Sequence, residues 1–325
     1  MALDHALRRR ASLPMPRLPT PKAPLAPPLL LLLLTCALAG VVASSWELPP
    51  AWRDAAARPD SLRVASGSLA RAPLDASRVV TRLAFGSCNK PEEPQGYWDA
   101  VRARAPSAWA WLGDVHYADT PVLLKIRIPA SAERLAAQWS AQLAAPAYRR
   151  FAEAVPVVGV YDDHDYGQND GDRTYNATAR ALSQQLLLDF LGEPPSAPRR
   201  AQEGVYTHYL LGPPARQLLL VLLDVRTNRD PYGSRGGSMD MLGEEQWAWL
   251  DALLAETPAE ITVIGSGIQV LSHGDPWVSE MWYKLPGSQA RLLALLAKYR
   301  RQGVLFISGD IHFAGAPRAD GRSGG

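Results

Sequence analysis

An acid and a histidine follow the last apolar run of the chain, in the segment Val304–Phe313, which reads VLFISGDIHF. The run ends at Ile307, a Ser-Gly pair interrupts it, and Asp310 and His312 follow. Such a run is typical of a buried parallel strand, and ligands bind at the carboxyl ends of these strands. In extended chain the two side chains point the same way. The pair suits a metal ion, although a turn aspartate beside a surface histidine fits the same pattern.

A cysteine stands at the exit of an earlier predicted strand. The segment RVVTRLAFGSC predicts a strand from Val79 to Phe85, and Cys88 follows it. Cys36, the other cysteine, lies in an apolar leader, so a disulfide framework is excluded. A lone cysteine is commonly buried and inert, but a thiolate at a strand end could also bind a metal or attack a substrate.

A second Gly-Asp pair occurs in the segment PSAWAWLGDVHY. Trp109 to Leu112 predict a short strand, and Asp114 follows the glycine. A carboxylate has two oxygens, so Asp114 could bridge two metal ions. Tyr117 is three residues further on, and its phenol oxygen could bind the same metal ions. Alternatively, its ring could pack against the loop.

Three acids and a histidine follow the next predicted strand. The run Val157–Tyr161 is rich in β-branched residues, and Asp162–Asp165, with the sequence DDHD, comes directly after it. Adjacent acids are unfavourable unless a positive group lies nearby. Metal binding or catalysis therefore explains the cluster better than a solvated acidic turn does.

The role of three further residues stays open. Gly204–Leu211 and Gln217–Asp224 predict neighbouring strands, and Arg226 and Arg229 follow the second. These arginines could bind an anionic substrate through bidentate hydrogen bonds, or they could form a salt-bridge network around the loop. His273 follows another predicted strand, and a loop histidine is more often a bystander than a ligand.

Predicted helices separate these strands, which indicates an α/β fold. Ala118–Phe151 is mostly helical by its apolar spacing, and helices also fit Arg180–Leu191, Gly243–Leu254 and a segment near Ser288. Four strand exits that carry six candidate ligands are better explained by one site than by chance. Oxygen, nitrogen and sulfur ligands together suit a binuclear transition-metal centre, which could clamp a phosphate.

The N-terminal region predicts entry into the secretory pathway. Basic residues and prolines precede the apolar run Leu29–Val42, and small residues follow it, so residues 1–45 fit a signal peptide. The run is short for a membrane span, but a signal anchor stays open. Residues 46–76 predict a linker, and residues 77–325 a folded domain. We expect a secreted or lumenal protein, or one anchored to a membrane, with a glycosylation sequon at Asn176.

Composition narrows the range of partners. The chain has 325 residues, a length sufficient for one large or two medium domains. Its formal net charge is +2. The small charge gives no signal for binding to nucleic acid or to an acidic partner.

The order of six segments resembles the PhoD-like (alkaline phosphatase D) branch of the calcineurin-like metallophosphoesterases. These segments are FGSC, LGD-x-x-Y, YDDHD, LDVRTNRD, GEEQWAWL and SGDIHF. The resemblance covers Arg78–Phe313. It implies a four-layer αββα sandwich, in which helices flank two packed sheets. It also implies a metal-dependent phosphoesterase, acting on phosphomonoesters or phosphodiesters, whose hydroxide nucleophile is activated by two metal ions.

The resemblance also assigns roles to the strand-end residues. It implies an Fe³⁺ site with the ligands Cys88, Asp114, Tyr117 and His312, and a site for a second metal, expected to be Ca²⁺, shared by Asp114, Asp163 and Asp310. His164 matches the histidine that stabilises the leaving oxygen, and Asp163 is expected to act with it. Asp165 departs from the family, in which a glutamate is usual at this position.

One larger departure concerns the C-terminus, and two alternatives to the phosphoesterase stay open, of which the first follows from this departure. The family continues past the GDIHF segment with more strands and another histidine-bearing loop, whereas Ala316–Gly325 predicts a disordered tail. The resemblance therefore implies that the domain is short at its C-terminus and lacks one sheet edge and one metal ligand. A catalytically impaired, metal-binding family member is the first alternative. The second is a hydrolase with Cys88 as nucleophile and His164 as base.

Overall fold

The computed structural model of the chain describes residues 58–64, 69–123, 126–233, 239–272 and 279–312. All of them belong to the unit Trp46–Gly325. The predicted leader, residues 1–45, lies outside the described residues, as do His273 and the predicted C-terminal tail. Within the described ranges, no helix has both the length and the apolarity that a membrane span requires.

Strands and helices alternate along most of the described chain. The strands are β1 Leu83–Gly86, β2 Ala108–Leu112, β3 Thr120–Leu123, β4 Ile126–Ile128, β5 Val157–Val160, β6 Thr207–Leu211, β7 Leu218–Leu222, β8 Ile261–Ser266 and β9 Val304–Ser308. The helices are α1 Tyr97–Ala103, α2 Ala132–Ala144, α3 Pro146–Ala154, the single turn α4 Asp163–Tyr166, α5 Ala177–Leu191, α6 Glu244–Glu256 and α7 Pro286–Lys298.

The strands form two larger sheets and one hairpin. The first sheet has the order β1-β2-β5 and is parallel throughout. The second has the order β6-β7-β8-β9, in which β6 is antiparallel to β7 and the other pairs are parallel. β3 and β4 form a separate antiparallel hairpin. The carboxyl ends of the parallel strands therefore carry the predicted site residues.

Alternate residues of β7 separate two apolar cores. Leu220 and Leu222 pack with β2 residues such as Leu112 in one cluster, which joins the two sheets. Leu219 and Val221, on the opposite face, pack with α6 and α7 in a second cluster. The first cluster also takes in Trp98, Trp139 and Leu186 from α1, α2 and α5 on the outer side of the first sheet. The layers are therefore helix, sheet, sheet and helix, which confirms the predicted αββα class.

The helical prediction for Ala118–Phe151 is wrong in its first part. This part forms the β3–β4 hairpin, because Pro121 and the β-branched residues around it favour extended chain. Helix α2 begins only after Ser131, whose side chain accepts a hydrogen bond from the backbone N–H of Arg134. The predicted helical spacing of Leu135 and Trp139 is found in this later part, where both are buried.

Part of the predicted linker packs against the domain. Arg58 is buried and forms an ion pair with Asp189 of α5, at 2.5 Å. Leu62, Val64 and Leu69 are buried in the core of the first sheet. These described residues contribute to the apolar core, as residues of a folded domain do.

Candidate metal centre

The strand ends bring all six predicted metal ligands together. Cys88, Asp114 and His312 offer ligand atoms that lie within 4.8 Å of one another. The same criterion holds for a second group, which consists of Asp114, Asp162, Asp163 and Asp310. Asp114 belongs to both groups, as a residue that bridges two ions must. The Tyr117 hydroxyl lies 3.4 Å from Asp114 Oδ2 and 2.7 Å from His312 Nε2.

Four of these residues have a left-handed backbone. The φ angles are 57° at Cys88, 50° at Asp114, 73° at Asp310 and 54° at His312. This conformation costs a non-glycine residue about 1–2 kcal/mol. Each strand thus turns sharply at its exit, so that its side chain points back over the sheet edge. Such strain persists where the surrounding structure fixes it, and it is concentrated at functional sites.

Glycines before the two aspartates let the strand ends approach each other. Gly113 has φ 91°, and a Cβ atom there would lie 2.2 Å from the Cβ of Asp162. A Cβ at Gly309 would lie 2.5 Å from the Oγ of Ser87. The glycine before each of the two aspartates therefore has a steric explanation, because only glycine fits where two strand exits are in contact.

Asp165 joins the exits of β2 and β5. Its carboxylate accepts backbone N–H groups from Asp114 and Asp162, both at 2.9 Å, and from Val115 at 3.2 Å. Burial raises the pKa of Asp165 to about 7, against the lowering effect of these hydrogen bonds. Asp165 thus fixes the two loops that carry Asp114 and Asp163.

The acids of the centre carry more negative charge than the described residues neutralise. Burial, followed by the charges of Asp163 and Asp162, raises the pKa of Asp114 well above its usual range. Burial and the charge of Asp163 raise the pKa of Asp310 to about 7. Oδ1 of Asp114 and Oδ2 of Asp162 are buried and have no hydrogen-bond partner among the described residues. Orphaned carboxylate oxygens beside a thiol and a phenol are a donor set that fits metal cations.

The cysteine is not activated by its surroundings. Burial is the main cause that raises the pKa of the Cys88 thiol above its usual value. Its Sγ lies 3.6 Å from Asp114 Oδ2 and 3.6 Å from the carbonyl oxygen of Asp310. Without a cation nearby the thiol therefore stays protonated, which disfavours Cys88 as a nucleophile.

His164 is held by a buried acid. Its Nδ1 lies 2.8 Å from Asp119 Oδ1, and Asp119 is fully buried. Burial acts to lower the pKa of His164, but the hydrogen bond to Asp119 and the charge of Asp163 raise it above its usual value overall. With Nδ1 engaged, Nε2 is the nitrogen that can carry a proton to a ligand.

Both arginines predicted to bind substrate are buried beneath the centre. Arg226 and Arg229 have no solvent exposure. Arg226 pairs with Asp162 and with Glu280, both at 2.5 Å, and Arg229 pairs with Glu280 at 3.1 Å. Neither guanidinium reaches a surface that a substrate could contact. The arginines therefore form the salt-bridge network that was the alternative prediction, and the substrate-binding prediction is corrected.

Comparison with known proteins shows the family and agrees with the fold. A family model described as PhoD-like phosphatase matches residues 83–321. The chain belongs to the PhoD-like phosphatase family. A solved structure described as "Structure of PhoD" superposes with a TM-score of 0.56 at 21% sequence identity, over 74% of this chain and 52% of that one. The chain thus spans about half the length of that protein, and the likeness shows the fold. The search of curated proteins gives no match.

Sequence reasoning missed three acids around this PhoD-like centre. Asp162 was one of the predicted acidic cluster but was not assigned a role, although its oxygens lie among the ligand atoms. Asp119 and Glu280 gave no local signal, because each acts through a residue that is distant in sequence. Glu280, for example, pairs with Arg226 54 residues away.

The predicted glycosylation site lies at the start of a helix. Asn176 is exposed and caps α5, and its side-chain oxygen accepts the N–H groups of Thr178 and Ala179, at 2.9 Å and 3.1 Å. The sequon stays a prediction.

Proposed function

We propose that the chain hydrolyses phosphoesters with two metal ions held at the strand ends. The observation that carries this proposal is the group of buried acids around Asp114, two of whose oxygens lack a partner among the described residues. Membership of the PhoD-like phosphatase family supports a hydrolase that acts on phosphate esters.

The ligand types support two different ions. Cys88, Tyr117 and His312 lie on one side of Asp114 and provide sulfur, phenol oxygen and imidazole nitrogen, which suit Fe³⁺. Asp163 and Asp310 provide carboxylates on the other side, which suit a hard ion such as Ca²⁺. Bound there, such ions would polarise a phosphoryl oxygen and lower the pKa of a water molecule.

The protein's own groups would position and protonate the substrate. Asp119 holds the His164 ring through Nδ1, so that Nε2 can donate a proton to the departing alkoxide. Asp163 lies beside that histidine, and the backbone N–H of Asp170, seven residues further along the chain, donates to its Oδ2 at 2.7 Å. Asp163 therefore presents Oδ1 in a fixed orientation near the proton donor.

Hydrolysis of 4-nitrophenyl phosphate and of bis(4-nitrophenyl) phosphate tests the proposal, since one is a monoester and the other a diester. We expect turnover that a chelator removes and that Fe³⁺ and Ca²⁺ restore together. Cys88→Ser separates the two roles proposed for Cys88. Partial activity that follows the iron content would indicate that Cys88 is a metal ligand. A complete loss of activity with both metals retained would indicate that it is the nucleophile. Metal binding without any turnover would favour the impaired family member.

We also propose that the protein enters the secretory pathway. The apolar run Leu29–Val42, with basic residues before it, supports this proposal. Expression in a eukaryotic cell tests it. A mass decrease on treatment with an N-glycosidase, absent in Asn176→Gln, is expected, and a cytosolic protein of unmodified mass would contradict it.

A further inference from the structure

Arg127, on β4, binds the acid that holds His164. Asp119 directly precedes β3, and its Oδ1 lies 2.8 Å from the Nδ1 of His164. The guanidinium of Arg127 donates from Nε to Asp119 Oδ2 at 2.5 Å, and from Nη2 to the main-chain carbonyl oxygen of Asp119 at 3.0 Å. Both carboxylate oxygens of Asp119 are therefore engaged, one by the imidazole and the other by the guanidinium.

The pairing of the β3–β4 hairpin brings this guanidinium to Asp119. Pro121 of β3 is the strand partner of Arg127, so Arg127 lies diagonally across the two strands from Asp119. Long side chains reach such diagonal neighbours. The side chain of Asp119 is completely buried, and that of Arg127 is 18% exposed. The hairpin thus places a cation on a buried carboxylate, which is the compensation that a buried charge requires.

A second contact of Arg127 leads to the face of the His164 ring. The ring centres of Tyr117 and His164 are 4.1 Å apart, and the ring planes are inclined by 42°. The guanidinium carbon of Arg127 lies 5.9 Å from the centre of the Tyr117 ring, within the range of a cation–π interaction. Arg127 therefore interacts with both groups that hold the His164 ring, the acid at its Nδ1 and the phenol ring against its face.

The orientation of the Asp119 carboxylate determines the orientation of the His164 ring. The terminal torsion of an aspartate has a broad distribution, so a hydrogen bond at Oδ1 alone would let the carboxylate and the ring turn together. Two donors from one planar guanidinium fix the carboxylate and the adjoining main chain. This matters for a proton donor, because a misplacement of about 1 Å can cost about a hundredfold in rate.

We propose that Arg127 is a positioning residue, which fixes Asp119 and thereby aims the Nε2 of His164 at the leaving oxygen of the substrate. Protonation of that oxygen rests on the proposed function, whereas the fixing of the ring does not. In the step, the oxygen of a water molecule forms a bond to phosphorus, the bond from phosphorus to the leaving oxygen breaks, and the Nε2 proton passes to that oxygen. A proton of the attacking water restores His164, so a phosphodiester and water give a phosphomonoester and an alcohol.

Two diesters with different leaving groups test this role. The 4-nitrophenolate ion departs readily without a proton, whereas the departure of the more basic phenolate is assisted by one. Arg127→Met should therefore lower kcat for diphenyl phosphate about a hundredfold, and kcat for bis(4-nitrophenyl) phosphate by less than about threefold. An equal fall for the two diesters would overturn the proposal, because a general loss of structure does not depend on the leaving group.

Arg200→Met is the matched control for the loss of a partly buried guanidinium. Arg200 pairs with Asp189 at 2.9 Å and donates to the carbonyl oxygen of Glu193 at 2.6 Å, so it also joins an acid to the main chain. Its side chain is 11% exposed, which is close to the value for Arg127. This variant should hydrolyse both diesters at the wild-type rates. A fall on diphenyl phosphate alone in the control would overturn the assignment to Arg127.

Removal of the histidine shows whether Arg127 acts through it. In a His164→Asn background, Arg127→Met should cause no further fall in the rate on diphenyl phosphate, because the group that it positions is absent. Losses that add in the double variant would overturn the proposal. Arg127→Lys keeps the charge but not the planar fork, so alone it should show a smaller fall on the same diester. This variant carries the test if Arg127→Met folds poorly.

Crystal structures of the full chain, as purified, read the ring position without any turnover. In wild type the Nδ1 of His164 should lie within hydrogen-bond distance of Asp119, and in Arg127→Met the ring should turn and lose this bond. A ring that is unchanged in the variant would overturn the positioning role. A turned ring in the variant, together with a wild type that hydrolyses no phosphoester, would overturn the proposed function and leave the positioning role supported.

Discussion

Two groups of buried charge lie next to each other beneath the strand ends, and they differ in their balance. The acids around Asp114, at the exits of β2, β5 and β9, include buried oxygens that have no hydrogen-bond partner in the part of the chain that the structure describes. In the neighbouring group, Glu280 is paired with Arg226 and Arg229, and Asp162 belongs to both groups, since its Oδ1 pairs with Arg226 while its Oδ2 has no hydrogen-bond partner among the described residues. Buried charge is stable only when it is compensated. The paired group is compensated by the chain itself, and the acids around Asp114 require cations from solution.

The pKa values of two adjacent acids express the same contrast. Asp114 faces other acids, and burial with the charge of Asp163 raises its pKa. For Asp163, burial acts to raise the pKa, but Arg226, 4.0 Å away, and His164 lower it below its usual value overall. Asp163 thus lies where the two groups meet, and it is ready to bind a cation without first losing a proton.

Asp114→Asn should have the largest effect, because it removes the carboxylate shared by the two proposed ions. We expect the turnover of bis(4-nitrophenyl) phosphate to fall about a thousandfold or more. The metal-free form of this variant should be more stable than metal-free wild type, since one repelling charge is gone. Undiminished turnover would contradict the assignment of Asp114 as the shared ligand.

Arg226→Met tests the paired group, where the change should act on folding. The substitution leaves Asp162 buried without its cation and Glu280 paired with Arg229 alone, and the free energy of unfolding should fall by about 3–5 kcal/mol. Urea denaturation with and without metals measures this. Arg226→Lys is the control and should recover part of the loss. A stability equal to wild type would show that the pair is not needed to compensate the buried acids.

The pH dependence of metal-free protein should reveal the acids that lack compensation. Burial raises the pKa of Asp310 to about 7, while in the unfolded chain it is about 3.9. The folded state therefore binds more protons between these values, and stability falls as the pH rises from about 4 to 7. Bound cations should remove or reverse this slope. Thermal melting of metal-free and metal-loaded protein across this pH range measures the slope. A stability of the metal-free form that rises with pH would contradict the prediction.

An exposed ion pair should show the smallest effect and serves as a reference for the other changes. Arg291 and Glu244 pair at 2.8 Å on the surface between α6 and α7. Water screens such a pair, so Glu244→Gln should leave the melting temperature almost unchanged. A large decrease would mean that charge removal alone, rather than burial, explains the effect of Arg226→Met.

The sequence allowed the fold class and the meeting of the strand-end residues to be predicted for one physical reason. Apolar strands followed by Gly-Asp turns have a local signature, and parallel strands must meet at a common edge. Gly113 and Gly309 show why this signature is reliable, since the close contacts there exclude any side chain.

The sequence could not show which charges are paired in the folded state. Arg226 and Glu280 lie on different loops, and only the packing of β7 and its neighbours brings them together. The same limit applies to Asp119, whose partner His164 is 45 residues away. The hairpin was missed for a different reason: the helical spacing within Ala118–Phe151 lies at Leu135 and Trp139, whereas the apolar side chains of the hairpin are exposed and lie outside the core clusters.

Metal content is the most direct test of the account, whose central claim is that the strand-end acids hold two cations. Elemental analysis of the purified full chain should find two ions per molecule in wild type, and a visible absorption band if Tyr117 binds Fe³⁺. Asp114→Asn should retain at most one ion, while Glu244→Gln should retain both. A wild-type protein that hydrolyses phosphoesters with no bound metal, or an Asp114→Asn variant with an unchanged metal content, would contradict the claim.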